Sequence, residues 1–112
     1  MKENELRVGN IVHNGVVREQ EIYDSSYIEL AQFYEPIPLT EEWLLRLGFH
    51  KISFRNNHNR YDMDNLRYND GIIQLKHRKI SFSLASCKYV HQLQNLYFAL
   101  KGTELTLTDK AE

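Results

Sequence analysis

Two aspartates are the residues of this sequence whose type and spacing most directly suggest chemistry. Asp62 and Asp64 alternate along a predicted strand, so both carboxylates project from one face, where they could hold a divalent metal with outside ligands. One hypothesis is a small metal-dependent enzyme that acts on phosphates and uses these two aspartates together with a histidine from the middle of the chain. Because no calcium loop follows and no third carboxylate lies nearby, we predict no metal site, and cross-strand pairing with Arg60 or Lys76 instead.

Cationic side chains interleaved with aromatic ones form a second candidate site. Phe54, Tyr61, Tyr68 and Phe82 lie among them, and this combination suits phosphates and stacked bases. If the two hairpin turns that carry the cations lie at one end of a sheet, they form a single anion-binding rim; the alternative is a solvated strand surface. The predicted anion-binding residues are Arg55, His58, Arg60, His77, Arg78 and Lys79.

Charge is distributed unevenly along the chain and limits the kind of anion. Residues 1–39 hold three Lys or Arg against seven Asp or Glu, a net of −4, whereas residues 40–88 hold nine against five, a net of +4. The whole chain has a net charge of −1, so long-range attraction to nucleic acid is weak. A nucleotide or a short single strand therefore fits the basic region better than duplex DNA.

Common catalytic motifs are missing from the sequence. It contains no H-E-x-x-H, P-loop, G-x-G-x-x-G, G-x-S-x-G or C-x-x-C pattern, so we predict no catalytic residue and no cofactor. Cys87 is the single cysteine, which rules out a disulfide within the chain and is typical of a small buried hydrophobe.

A long helix over residues 87–101 is the strongest periodic signal. One stripe is apolar, and it consists of Tyr89, Leu93, Leu96, Tyr97 and Leu100. The other face carries neutral amides, an imidazole and a phenyl ring where a water-facing helix usually carries Lys and Glu. We predict that this face contacts a partner protein, a second copy of the chain or a ligand, through His91, Gln94, Asn95 and Phe98. The alternative is that both faces are buried within the chain.

The remaining elements follow from turn and capping residues. Asn14-Gly15 predicts a hairpin whose first strand runs from residues 6–8 to 11–12 and whose second runs from residues 16–17 to 22–23. A third strand is predicted at residues 27–30. Thr40 caps a short helix over residues 40–47, which Gly48 ends. Within residues 50–85, alternation predicts four strands, at 51–55, 60–64, 72–76 and 79–84, and residues 103–108 form a final one.

These elements define an α+β fold in one domain. It comprises an acidic β meander (1–39), a helix with a basic β region (40–85), and a long helix with a strand (86–108). No apolar run approaches the ~18 residues of a membrane span. The first residues lack the apolar core of a signal peptide, so we expect a cytoplasmic protein that enters no membrane.

Three strings of the sequence carry a resemblance. ELRVGN, PIPLTEEWLLRLGF, and KYVHQLQNLYFAL with GTEL resemble a family of small proteins from gut-type bacteria, their prophages and mobile elements. The resemblance implies an accessory or host-interaction role and transfers no site residue. We therefore expect a non-catalytic binding protein that self-associates and sequesters a host or phage protein or a small anionic ligand. A single-stranded nucleic-acid accessory protein is a further reading.

Overall fold

The structure, a computed structural model, describes residues 1–15, 19–55, 58–105 and 107. These residues form the predicted α+β fold, with antiparallel strands in two sheets and one long helix towards the carboxyl end. The chain divides into two compact units. The amino-terminal unit contains Met1–Leu39 and Lys88–Leu105, and the sheet unit contains Thr40–Cys87.

A short hairpin begins the amino-terminal unit. β1 (Ile11–Val12) pairs antiparallel with β2 (Gln20–Glu21), which confirms the predicted pairing on either side of Asn14-Gly15. Residues 16–18, where part of the second strand was predicted, lie outside the described residues. Before β1 the chain makes one short 3-10 helix, Glu3–Glu5, and the predicted strand at residues 6–8 is absent.

The predicted strand at residues 27–30 is wrong. α1 (Ser25–Ile28) occupies its place, followed by a 3-10 helix at Ala31–Phe33. The carboxylate of Asp24 accepts a hydrogen bond from the Ser26 N–H at 2.9 Å, so it caps the helix and starts it. The core beneath it consists of Leu6, Val12, Ile22, Ala31 and Tyr34, with Tyr27 and Ile28 packed against it.

The long helix, α3 (Val90–Lys101), begins three residues later than predicted. The chain before it is extended, because the Leu39 N–H donates to the Lys88 carbonyl at 2.9 Å and the Val90 N–H donates to the Ile37 carbonyl at 2.8 Å. Gly102 ends the helix in the left-handed region, at φ 74°, as its position predicts.

The sheet unit begins with α2 (Glu41–Arg46), which confirms the predicted short helix. The Thr40 hydroxyl accepts a hydrogen bond from the Trp43 N–H at 3.4 Å. At the other end Gly48 has a φ of 103°, and the Phe49 N–H donates to the Leu44 carbonyl at 3.0 Å. Local capping alone therefore defines this helix of six residues.

Five strands follow as an antiparallel meander in chain order. They are β3 (His50–Ser53), β4 (Asn59–Met63), β5 (Leu66–Asn69), β6 (Ile72–His77) and β7 (Ile80–Ser86). Four lie where strands were predicted, and β5 was not predicted. Because strand residues alternate between faces, the register separates an apolar face from a polar one.

The apolar face is partly covered by α2. Leu66 and Ile73 are buried in it. Near β3 and β4, the Glu41 carboxylate accepts a hydrogen bond from the Tyr61 hydroxyl at 2.6 Å and pairs with Lys51 at 3.1 Å. Burial and this hydrogen bond raise the pKa of Tyr61 to about 12.

The last predicted strand, at residues 103–108, is absent from the residues described there, which are 103–105 and 107. Leu105 is buried nonetheless. Neither α3 nor any shorter helix in the described part of the chain has the length and apolar character that crossing a bilayer requires.

Candidate anion-binding face

The polar face of the sheet brings together charged residues that are far apart in the chain. Asp62 on β4 pairs in register with His50 on β3 and Arg67 on β5, and Arg67 pairs with Gln74 on β6. These pairs form one row across four strands. A side chain fixed in such a row is held by the hydrogen-bonded backbone of its neighbours and not by a mobile loop.

Asp62 lies at the centre of three cations. Its carboxylate is 3.6 Å from the Nε of Arg60, 3.5 Å from the Nε of Arg67 and 3.4 Å from the Nζ of Lys76. The predicted cross-strand pairing with Lys76 is confirmed. Arg60 also contacts Asp62, but from the same strand, so its predicted cross-strand pairing is wrong, and Arg67 is an addition. All four side chains are largely covered.

The cluster carries more positive than negative charge. Among the described residues Asp62 is the only carboxylate that contacts these three cations, so the cluster has a net charge of +2. The contacts are also long, because charge-assisted N–H···O bonds are usually about 2.7–2.9 Å. The Nε atoms of Arg60 and Arg67 are buried and have no hydrogen-bond acceptor within the described residues. The single carboxylate of Asp62 therefore neutralises only part of the positive charge of the three cations.

An aromatic side chain adjoins the cluster. Phe54 follows β3 and is 43% exposed, and the guanidinium carbon of Arg60 lies 5.1 Å from the centre of its ring. The ring of His58 is 6.0 Å from that of Phe54. The guanidinium thus lies over the ring of an exposed phenylalanine, and cations together with aromatic rings suit a phosphate attached to a flat base.

The single rim predicted from two turns does not form. In a meander successive turns alternate between the two ends of the sheet, so the β3–β4 turn, with Arg55 and His58, lies at the end opposite the β6–β7 turn. The latter turn holds Arg78 and Lys79, which are exposed, and follows His77. Of the six predicted anion-binding residues only Arg60 belongs to the central cluster.

The two aspartates have different surroundings. Asp62 is occupied by cations, whereas Asp64 is exposed in the β4–β5 turn at a φ of 53°. In the described part of the chain no three His, Cys, Asp or Glu side chains gather closely enough to hold a metal ion. Cations that already surround Asp62 would repel a divalent metal.

Most of the predicted contact face of α3 is covered by the chain itself. Gln94 is only 1% exposed: its side chain accepts a hydrogen bond from the Ile11 N–H at 2.9 Å and donates to the Gly9 carbonyl at 3.0 Å. Asn95 accepts from Asn10 at 2.8 Å and donates to the Glu5 carbonyl at 3.2 Å. Both amides therefore bind the irregular segment that leads into β1. For Gln94 and Asn95 the alternative hypothesis holds, in which this face of the helix is covered by the chain itself.

The other two members of that face differ in exposure. His91 is buried, with its Nε2 4.0 Å from Glu5, and burial lowers the pKa of its imidazole. Phe98 remains partly exposed beneath the guanidinium of Arg7, 4.3 Å from its ring centre. Contact with a partner thus remains a prediction for the region of Phe98 alone.

Cys87 lies in a covered position, as expected for a small hydrophobe. Burial raises the pKa of its thiol to about 11, so the reactive thiolate is scarce near neutral pH.

Sequence reasoning did not include Arg67 and Lys76 among the six predicted anion-binding residues. Arg67 lies on the strand that was not predicted, and Lys76 was considered only as a partner of Asp62. The alternation of Leu66, Arg67, Tyr68 and Asn69 between two turn sequences is the signal that could have identified the missing strand.

Comparison of the chain with protein-family models, with curated proteins and with solved structures finds no match.

Proposed function

We propose that this chain is a non-catalytic binding protein whose polar sheet face holds a phosphate-bearing ligand, a nucleotide or a short single strand of nucleic acid. The observation that carries the proposal is the group of three cations around the one carboxylate of Asp62, next to the exposed ring of Phe54. In keeping with the resemblance to proteins of phages and mobile elements, its action would be sequestration.

The three cations suit a phosphate because of their chemical groups and because they lie on the strands of a sheet. Arg60 and Arg67 offer planar guanidinium groups, which can bind two phosphate oxygens at once, and Lys76 adds a compact charge. The three side chains come from three adjacent strands, β4, β5 and β6. Their positions are therefore set before any ligand arrives, which lowers the entropy cost of binding.

Phe54 favours a nucleotide over inorganic phosphate. Its ring is exposed, and the guanidinium of Arg60 lies over it, so a base that stacks on the open part of the ring would have its phosphate close to the cation. Such stacking contributes about 1–3 kcal/mol per base and tolerates different bases.

Duplex DNA remains an unfavourable ligand. The chain has a net charge of −1, and the cluster provides an excess of only two positive charges. Duplex binders usually neutralise about 6–10 phosphates, so a small ligand is better matched to this face.

Titration of the full chain with adenosine monophosphate, a short oligothymidylate and inorganic phosphate, followed by amide NMR, tests the proposal. We expect shifts along β4, β5 and β6. Arg67→Gln should weaken binding of all three probes by about tenfold, as the loss of one charge-assisted contact predicts. Phe54→Ala should weaken the two nucleotide probes by about fivefold or more and leave inorganic phosphate unchanged.

Lys79→Gln is the matched control, because Lys79 is exposed in the β6–β7 turn and is not one of the three cations that contact Asp62. It should bind each probe as the wild type does. Absence of binding at millimolar probe concentration, or equal binding by Arg67→Gln and the wild type, would show that the cluster is only structural.

A further inference from the structure

The last strand of the sheet, β7, is an edge strand without the side chains that usually protect an edge. Among the described residues it pairs on one side only, with β6. Edge strands are usually blocked by Lys, by Pro, by an inward charge or by a bulge, each of which hinders pairing with another chain. Ile80–Ser86 has a bulge at Leu84, but it contains no Lys or Pro and is uncharged over its whole length.

The side chains of β7 that continue the apolar face are open to solvent. Ile80 is 58% exposed, Phe82 50% and Leu84 38%. They alternate with Ser81 and Ser83, so the three form one apolar row along the edge. A row of this kind at an unprotected edge is typical of a contact surface.

The pairing of β7 with β6 determines which backbone N–H and C=O groups of β7 point away from the sheet. A two-residue turn joins β6 to β7, and in such hairpins the residues next to the turn, here His77 and Ile80, bond each other. Backbone groups then alternate in direction, so those of Ser81 and Ser83 point away from β6. The register shifts at Leu84, because Ser83 pairs with Gln74 whereas Ala85 pairs with Ile73, and this bulge ends the alternation.

We infer that a second copy of this chain pairs with β7 edge to edge, antiparallel, about a twofold axis at Phe82. In this register Ser81 of each copy meets Ser83 of the other, so the outward N–H and C=O groups of both strands bond. Phe82 lies opposite its own copy, and Ile80 lies opposite Leu84.

Self-complementarity is what selects a second copy as the partner. The register about Phe82 is the one in which all three apolar residues of the row face apolar residues. It also sets Arg78 opposite Ser86 and Lys79 opposite Ala85, so no cation meets a cation. A register centred on Ser83 would instead oppose Arg78 to Lys88 and leave Ile80 against Ser86.

The geometry has a consequence for the polar face. An axis that relates antiparallel strands of one sheet is perpendicular to that sheet, so each face continues into the same face of the other copy. The clusters around Asp62 of the two copies would therefore lie on one side of a ten-stranded sheet. The pairing itself does not depend on whether those clusters bind a ligand.

Sedimentation or light scattering of the full chain over a range of concentrations tests the pairing. We expect a dimer for the wild type. Phe82→Lys should raise its dissociation constant at least about tenfold, because two like charges would then face each other across the axis. Mixing Phe82→Lys with Phe82→Glu should restore dimers. Phe33→Lys is the control, since Phe33 is an equally exposed ring in the amino-terminal unit, and it should leave the assembly unchanged.

Cysteine cross-linking tests the register. Phe82→Cys should form a disulfide between copies under mild oxidation, because facing residues at this type of position have Cα atoms about 4.5 Å apart. Ile80→Cys should not, since the two copies of residue 80 would lie four residues apart along the strands. Cys87 can stay in both variants, because it is buried.

Several results would overturn the inference. These are a monomeric wild type at millimolar concentration, a dimer that Phe82→Lys leaves intact, or cross-linking by Ile80→Cys in place of Phe82→Cys. Capture of a foreign strand-forming peptide at β7 by a monomeric chain would also overturn it, because the partner would then be another protein.

Discussion

The two units of this chain use their polar side chains in opposite ways. In the amino-terminal unit, the side chains of Gln94 and Asn95 on α3 form hydrogen bonds with residues 5–11 of the same unit. In the sheet unit, three cations share one carboxylate, and the backbone of β7 has a free side among the described residues. Capacity to bind something else therefore lies in the sheet unit.

The contrast explains why neutral amides on a helix need not indicate an interface. Residues 6–10 form no regular helix or strand, so their backbone groups need partners from elsewhere. An amide side chain can both donate and accept hydrogen bonds without burying a charge, which suits this task. The amides of α3 thus replace the hydrogen bonds that a sheet would supply.

The largest effect that would test this contrast is expected at Gln94. Gln94→Leu keeps the size of the side chain but leaves the Ile11 N–H and the Gly9 carbonyl buried without partners. We expect the free energy of unfolding to fall by about 2–4 kcal/mol, measured by urea denaturation. Gln32→Leu, at an exposed position, should change it by less than about 0.5 kcal/mol. Equal effects of the two changes would show that the amide contacts do not hold the unit together.

The fold could be predicted where local sequence determines it. Thr40, Gly48 and Phe49 define α2 through contacts within one turn of the helix, so its position was predicted closely. The strand predicted at residues 27–30 is wrong because it rested on Tyr27 and Ile28, which favour strands. The carboxylate of Asp24 caps and stabilises a helix there instead.

A smaller effect, in the other unit, is expected at Asp62. Asp62→Asn removes the only negative charge from the cluster, and we expect a loss of about 1 kcal/mol of stability because the cations then repel each other. The same change should tighten binding of adenosine monophosphate about three- to tenfold, since the ligand no longer competes with the carboxylate.

Asp64→Asn is the control for this change, because Asp64 is exposed in a turn and asparagine tolerates its left-handed backbone. It should alter neither quantity. If Asp62→Asn lowered stability and weakened nucleotide binding together, the polar face would resemble the amino-terminal unit in serving structure alone.

A pH-dependent effect is expected at the buried histidine of the amino-terminal unit. Burial lowers the pKa of His91 in the folded state, so the unfolded chain takes up a proton first as the pH falls. Stability should therefore be lost as the pH falls below about 6.5, by no more than about 1.4 kcal/mol per pH unit. Measured between pH 7 and pH 5, this slope should become shallower in His91→Gln. It should persist in His77→Gln, where the side chain is exposed. An unchanged slope in His91→Gln would assign the pH dependence to other groups.

The candidate site was less predictable than the fold, for a topological reason. Arg60, Arg67 and Lys76 meet at Asp62 only because β4, β5 and β6 pair in one particular register. Sequence alternation indicates strands but not their order or register, so charges at turns appeared more prominent than charges in the middle of strands. Because strand order was unknown, Arg55 and Arg78 were predicted to lie on one rim. In the meander their turns lie at opposite ends of the sheet.

The discontinuous make-up of the amino-terminal unit bears on how the chain folds during synthesis. Each strand pair of the larger sheet joins consecutive strands, so its contacts close short loops and can form as soon as Thr40–Cys87 has left the ribosome. The bidentate pairing of Arg7 with Glu104 spans 97 residues and must wait until α3 has been made. The sheet unit should therefore fold first, while the first 39 residues wait for their partner helix.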